Sequence, residues 1–220
     1  MLNVLFPKVC GGCSNKLLKG ENTLCASCIH SLPLLAHHKT ASTGMTAVFY
    51  GRVPLEQATA LLRFTKKGIT QELLHNLKYR GNENIGVFFG KWLGAELAQI
   101  QSYTTIDCII PVPIHKLKKR KRGYNQVTGF GLEISKALQK PMFEDVLLKK
   151  YETASQVFKQ RFTRFNNEEV FTVKNEEKIT GKHILIVDDI ITTGATLENC
   201  ANKLLTAGAS KISLATIAMA

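Results

Sequence analysis

The chain has 220 residues, is 45% hydrophobic, and carries 29 basic against 17 acidic side chains for a formal net charge of +12. That length and apolar content suit one full core with a small appendage. No apolar run reaches the roughly 18 residues a membrane-spanning helix needs. MLNVLFPKVCGGC at the start lacks a charged segment and is interrupted by Pro7, so no secretory leader is expected. The composition therefore points to a cytoplasmic protein with reduced thiols and no membrane insertion.

The charge is uneven. Residues 1–35 carry +2 and residues 180–220 carry zero, so the middle holds +10. Its sharpest cluster is KLKKRKR at 116–122, six basic residues in seven. Such a run suits a polyanionic partner, either phosphates or nucleic acid. A solvated basic loop is the plain alternative.

In chain order, the first feature is a pair of CxxC motifs, Cys10-Gly-Gly-Cys13 and Cys25-Ala-Ser-Cys28, with eleven residues between them. This spacing brings four thiolates together as tetrahedral Zn2+ requires. Four sulfur ligands leave no open position, so the metal is expected to be structural. Residues 1–35 are too short for an apolar core, and a metal would replace one. His30, His37 and His38 follow and are expected at the surface, since four cysteines complete the shell. Cys108 and Cys200 are expected as buried core thiols.

Residues 36–44 read as a linker and 45–50 (MTAVFY) as a strand. Helices are expected at about 54–65, 69–79 and 83–100, the last with Val87, Phe88, Trp92, Leu93 and Leu97 at helical spacing. TIDCIIPVP (105–113) is an apolar run ended by prolines and reads as a buried parallel strand. The basic run 116–122 reads as a loop, followed by a helix at about 125–139. Short strands are expected at 145–150 and 171–173, on either side of a polar, basic stretch at 152–169. KHILIV (182–187) is a strand, DDIITTG a loop, ATLENCANKLLTA a helix stopped at Gly208, and KISLATIA (211–218) a returning strand. That βαβ unit predicts an α/β domain over 45–220 with a mainly parallel sheet, and ligands at the carboxyl ends of its strands.

Both notable loops lie at such ends. Asp188 and Asp189 close an apolar strand, where neighbouring carboxylates repel, lose solvent and need partners. Ribose hydroxyls and a divalent cation are suitable ones. Thr192, Thr193, Gly194, Ala195 and Thr196 then open a helix whose N–H groups and hydroxyls can cradle a phosphate. Together they suit a ribose carrying a 5′-phosphate, although a capped helix beside a surface acidic pair has the same residues. GxxxxGK[ST] does not occur, which disfavours an ordinary nucleotide triphosphatase.

IVDDIITTGAT resembles the PRPP-binding motif of type I phosphoribosyltransferases. The whole chain resembles the ComF family of competence-associated proteins, through the cysteine pairs, LKYRG at 77–81, IIPVPIHKLKKRKRGYNQ at 109–126 and the 186–196 motif. A fainter match runs through Thr153, Gln156, Arg164 and Asn167. Tyr124 stands where phenylalanine is usual and Lys159 where leucine is common. The resemblance implies a type I phosphoribosyltransferase-like sheet with an N-terminal zinc module. It also implies PRPP with Mg2+ as ligand, and a part in DNA uptake with DNA-uptake proteins as partners. The basic run beside the ligand loop suits single-stranded DNA, since no groove-reading element is visible in the sequence. Asp188 and Asp189 would hold ribose and Mg2+, residues 192–196 the 5′-phosphate, and His115, Arg122 and Gly123 would face pyrophosphate. The 152–170 stretch would be a cover over the site. Lys78, Tyr79, Arg80, Lys118, Lys119, Lys121 and Tyr124 are candidate nucleic-acid contacts, with Lys78 and Arg80 equally explained as cations at a helix end. Two functions remain open, an enzyme with an unidentified acceptor and a non-catalytic single-stranded DNA adaptor.

Overall fold

A computed structural model describes residues 7–35, 37–39, 44–150 and 170–220. Thr153, Gln156, Lys159, Arg164, Asn167 and the expected cover lie outside them, apart from Val170. A four-stranded sheet holds the centre. Its strands are β1 (Gln57–Arg63), β2 (Cys108–Pro111), β5 (His183–Ile191) and β6 (Lys211–Met219), in the order β1-β6-β5-β2. Every pairing is parallel. The hairpin of β3 (Leu147–Lys149) and β4 (Phe171–Val173) pairs antiparallel beside it.

The sheet is buried on both faces, as the continuous apolar runs of β5 and β6 demand. Alternate residues of β5 serve the two sides. Leu185 and Val187 join one core cluster, with Phe89, Leu93, Phe130 and Ile134. Ile184 and Ile186 join the other, with Leu197, Cys200 and Leu204. The first face is covered by α2 (Ile69–Tyr79), α3 (Asn84–Leu97) and α6 (Thr128–Leu138), the second by α7 (Ala195–Thr206). Shorter helices are α1 (Ala26–His30), α4 (Gln101–Thr104) and α5 (Lys116–Arg122).

The helices at 69–79 and 128–138, the strands at 108–111 and 147–149, and the C-terminal βαβ unit stand where the sequence puts them, within a few residues. Gly208 ends α7 as expected, with φ +98° and its N–H donated to the Leu205 carbonyl. Cys108 and Cys200 are buried. Five expectations fail. The segment expected as a helix at 54–65 is strand β1. Ala, Leu and Gln favour a helix locally, but the place beside β6 buries five consecutive residues of β1, and tertiary burial overrides propensity. MTAVFY is a 3₁₀ turn, Thr46–Phe49, packed beside Gly194 at the start of α7. DDI belongs to β5 and not to a loop, and the basic run is helix α5. His38 is not at the surface. Its ring nitrogens contact Thr59 Oγ1 of β1 at 3.0 Å and Glu96 Oε2 of α3 at 2.6 Å.

Two close approaches shape the first face. On α3, Gly86, Gly90 and Gly94 form a stripe against α6, and a Cβ on Gly90 would sit 2.5 Å from the Phe130 carbonyl oxygen. That contact needs glycine. The N-terminal module also packs here, because Cys10, Leu17, Leu24, Cys28 and Leu32 share the cluster of Leu73, Ile85 and Phe89. The Asn76 amide of α2 donates to the Gly11 carbonyl at 2.8 Å. Beyond the module, Leu34 bridges antiparallel to Leu62 and covers the β1 edge, as exposed sheet edges require.

Candidate phosphate and carboxylate site

β2 ends at Pro111, opposite Val187 of β5, and the next N–H, that of Val112, donates to the Val187 carbonyl at 2.9 Å. Beyond that point β5 continues along β6 alone, as far as Ile191 opposite Met219. Asp188 and Asp189 therefore emerge where β2 has stopped, at the crevice that parallel sheets open at their carboxyl ends. Because they lie in a strand, their side chains take opposite faces. Asp188 is on the α7 side and is 8% exposed, and Asp189 is on the α2 side and is 3% exposed. Burial, then the charge of Asp189, pushes the Asp188 carboxyl up to about 8. Its Oδ1 accepts the Asp189 N–H at 2.8 Å. Asp189 Oδ1 meets Lys78 Nζ at 2.9 Å, while its Oδ2 is buried without a hydrogen-bond partner among the described residues.

Thr192, Thr193, Ala195 and Thr196 are exposed around Gly194, which caps α7 with φ +78°. A side chain there would be strained, and its Cβ would stand 3.1 Å from the Phe49 ring. The loop is held from behind. Arg52 donates to the Thr193 carbonyl at 2.9 Å and pairs with Glu198 of α7. Sequence reasoning missed Arg52, because nothing local links residue 52 to residue 193.

The second half of the site is cationic. His115 caps α5, its Nδ1 accepting the Leu117 N–H at 3.3 Å, and Gly123 ends the helix at φ +88°. Helical spacing sorts the basic run into two faces. Lys118, Lys121 and Arg122 line a cavity of about 310 Å³ together with Lys78, Tyr79, Gly81 and Tyr124. Lys116 and Lys119 line another of about 220 Å³, shared with Glu144 and Lys149. The Arg122 guanidinium lies 5.4 Å from the centre of the Tyr79 ring, and the Tyr124 hydroxyl donates to the Leu77 carbonyl. That bond fastens LKYRG to α5's end. Arg80 stands apart, 3.9 Å from Glu72. Of the named candidate contacts the structure thus joins Lys78, Tyr79, Lys118, Lys121, Arg122 and Tyr124, and separates Arg80 and Lys119 from them.

At the N-terminal module, one sulfur each from Cys10, Cys13, Cys25 and Cys28 lies within 4.8 Å of the others, a set that can hold a metal ion. Burial opposes ionisation of Cys10, yet backbone N–H groups, including those of Gly12 and Cys25, draw its thiol down to about 6. A thiolate is the form that binds zinc. Burial and neighbouring sulfurs raise Cys28. The donor set fits Zn2+.

Residues 128–220 match the phosphoribosyl transferase domain family. The chain is 26% identical over 201 residues to competence protein ComFC of Bacillus subtilis, covering 91% of this chain and 79% of that one. It is 30% identical over 144 residues to DNA utilization protein YhgH of Escherichia coli O157:H7, covering 64% of this chain and 63% of that one. With ComFC of Streptococcus pneumoniae it shares 30% over 151 residues, 68% of this chain and 63% of that one. These relatives and the matched domain are consistent with the ComF family. The matched domain region begins at α6, so LKYRG, α5 and the cysteines lie outside it. The two carboxylates and the 192–196 loop come from inside the domain match. The cations that face them come from before it. Among the described residues no helix is long and apolar enough to cross a membrane.

Proposed function

We propose that the chain binds PRPP with Mg2+ at the carboxyl end of β5 and transfers its phosphoribosyl group to an acceptor not identified by the sequence. The reading is carried by one arrangement: a buried carboxylate pair followed directly by the Thr192–Thr196 loop at a helix start and faced by the cationic cavity. Asp188 and Asp189 would hold the ribose hydroxyls and the cation. The buried Oδ2 of Asp189, without a partner among the described residues, is an acceptor suited to either. Mg2+ would supply charge neutralisation at the pyrophosphate. The 192–196 backbone and hydroxyls would bind the 5′-phosphate, and Lys118, Lys121 and Arg122 the leaving anion. As pyrophosphate departs the sugar carbon becomes cationic, so the protein's task is positioning and charge stabilisation, with no protein nucleophile. Calorimetric titration with PRPP, with and without Mg2+, tests binding. Pyrophosphate release across bases and amines tests turnover. Absence of PRPP binding in both conditions overturns the reading.

A second reading is favoured by α5, a surface helix with no buried residue. A role in DNA uptake, as the names of the relatives suggest, would use it to hold single-stranded DNA by its phosphates, with the 69%-exposed Tyr79 as a stacking surface. Zinc at the four cysteines would be structural in either case.

A further inference from the structure

Lys78 stands between two environments. On one side is Asp189, whose carboxylate is 4% exposed and receives the ammonium at 2.9 Å. On the other is the 310 Å³ cavity, where Lys118, Lys121 and Arg122 have no carboxylate partner among the described residues. Lys78 itself is 23% exposed. Its four-carbon stem starts in the last turn of α2, which the Tyr124–Leu77 bond fixes, so its base is rigid while its head can turn.

A divalent cation and a lysine ammonium cannot both occupy one carboxylate edge without strong repulsion. In the ligand-free chain Lys78 satisfies Asp189, which would otherwise be a buried charge with no counter-ion. A divalent cation on the Oδ2 edge of Asp189 would stand close to the ammonium held on Oδ1, and their repulsion drives Lys78 away. The nearest region that gains from its charge is the cavity, once an anion sits there.

From this geometry we infer that Lys78 is an exchanged counter-ion. It guards Asp189 when the site is empty and moves to the phosphate-type anion in the cavity when the carboxylate receives its cation and sugar. The inference rests on the proposed ribose-phosphate reading and deepens it. Lys78 would make binding of divalent cation and of anion mutually dependent. Cation alone binds weakly because it must displace the ammonium, and anion alone binds weakly because Lys78 is held elsewhere. Bound together, each relieves the other's cost, which is a positive coupling between two subsites. Arg80, two residues on and directed to Glu72, has no part in the exchange.

The test compares the full chain with Lys78→Met and Lys78→Gln, zinc retained, using three probes: Mn2+ alone followed by electron paramagnetic resonance, inorganic pyrophosphate with and without Mg2+, and ribose 5-phosphate by calorimetry. Both variants are expected to bind Mn2+ alone more tightly and Mg2+-pyrophosphate more weakly, each by about tenfold, the size of one charge-assisted bond lost or relieved. Ribose 5-phosphate affinity is expected to change little, and each variant should still unfold in one cooperative transition, at a lower temperature because Asp189 loses its counter-ion. A merely structural lysine would weaken every probe together, and that result overturns the exchange. So does an unchanged Mn2+ affinity in variants that are folded at the assay temperature. If the parent binds ribose 5-phosphate and the opposed shifts are missing, the exchange alone fails. If the parent binds none of the probes, the ribose-phosphate reading fails and the exchange with it. Should both variants unfold, a 13C-methylated Lys78 in the parent decides: a methyl carbon resonance unmoved by Mg2+ with pyrophosphate rejects the exchange, and one that shifts supports it.

Discussion

The two halves of the site are built in different ways. The candidate phosphate half, Asp188 through Thr196, is one unbroken stretch running from strand to turn to helix. The cationic half is assembled from the end of α2 and the length of α5, some forty residues apart in sequence, and is fastened by the Tyr124–Leu77 hydrogen bond and the Arg122–Tyr79 contact. A contiguous loop carries its geometry in its own backbone. An assembled corner depends on whatever holds its pieces, and here that includes the cysteine module, which docks on α2 through Asn76. The two halves should therefore respond differently to damage.

The largest effect is expected from the metal. About one tightly held zinc per chain is expected by metal analysis, and its complete absence from protein purified without chelator would end that idea. Leu17, Leu24 and Leu32 share the central core, so chelation or Cys13→Ser should lower the melting temperature of the whole chain in a single transition. Each kcal/mol lost amounts to about 2–4 °C at this size. Two separate transitions by calorimetry would instead make residues 1–35 an independent unit.

Next come the carboxylates, where the halves meet. Asp189→Asn should weaken PRPP binding with Mg2+ by about tenfold or more, the loss of a buried charge-assisted bond. Asp188→Asn should do the same and yet raise the melting temperature, because burial already works against that charge. A variant that binds as well as the parent places the site elsewhere.

The basic helix offers a finer division. Reversal of Lys118, Lys119 and Lys121 to glutamate should weaken single-stranded DNA binding for all sequences alike, and flatten a salt slope of about −0.7 per phosphate contacted. Lys118 and Lys121 share the cavity with Lys78, but Lys119 lies on the other face. Pyrophosphate affinity should therefore fall in the Lys118→Glu, Lys121→Glu double variant and hold in Lys119→Glu. Equal losses would mean that the helix acts as a diffuse field and not as two faces.

The smallest effect is expected in the contiguous half. Arg52→Met removes the brace behind Thr193, a largely exposed contact worth about a two- to fivefold change in ribose 5-phosphate affinity. Titration calorimetry reads it directly. A loss matching that of Asp189→Asn would show that the loop has no geometry of its own and depends on its support.

The chemistry that lies within a few residues was readable from the chain alone: the two CxxC pairs, the apolar strand leading into Asp188 and Asp189, the threonine-rich start of α7 and the stop at Gly208. Turns, caps and amphipathic periods are local, and hydrogen bonds reaching three or four residues enforce them. Other features answered to partners distant in sequence. Residues 57–63 became a strand because β6 offered an edge and the cores offered burial on both sides. The basic run became a helix, which split its cations between two cavities. Gly86, Gly90 and Gly94 recur every four residues in α3, and the approach of Phe130 gives that spacing its reason. The meeting of Lys78 with Asp189, 111 positions later, has no local signal at all. Tertiary packing decided it, because a buried carboxylate at the end of a parallel strand must find a cation and the chain folded one onto it.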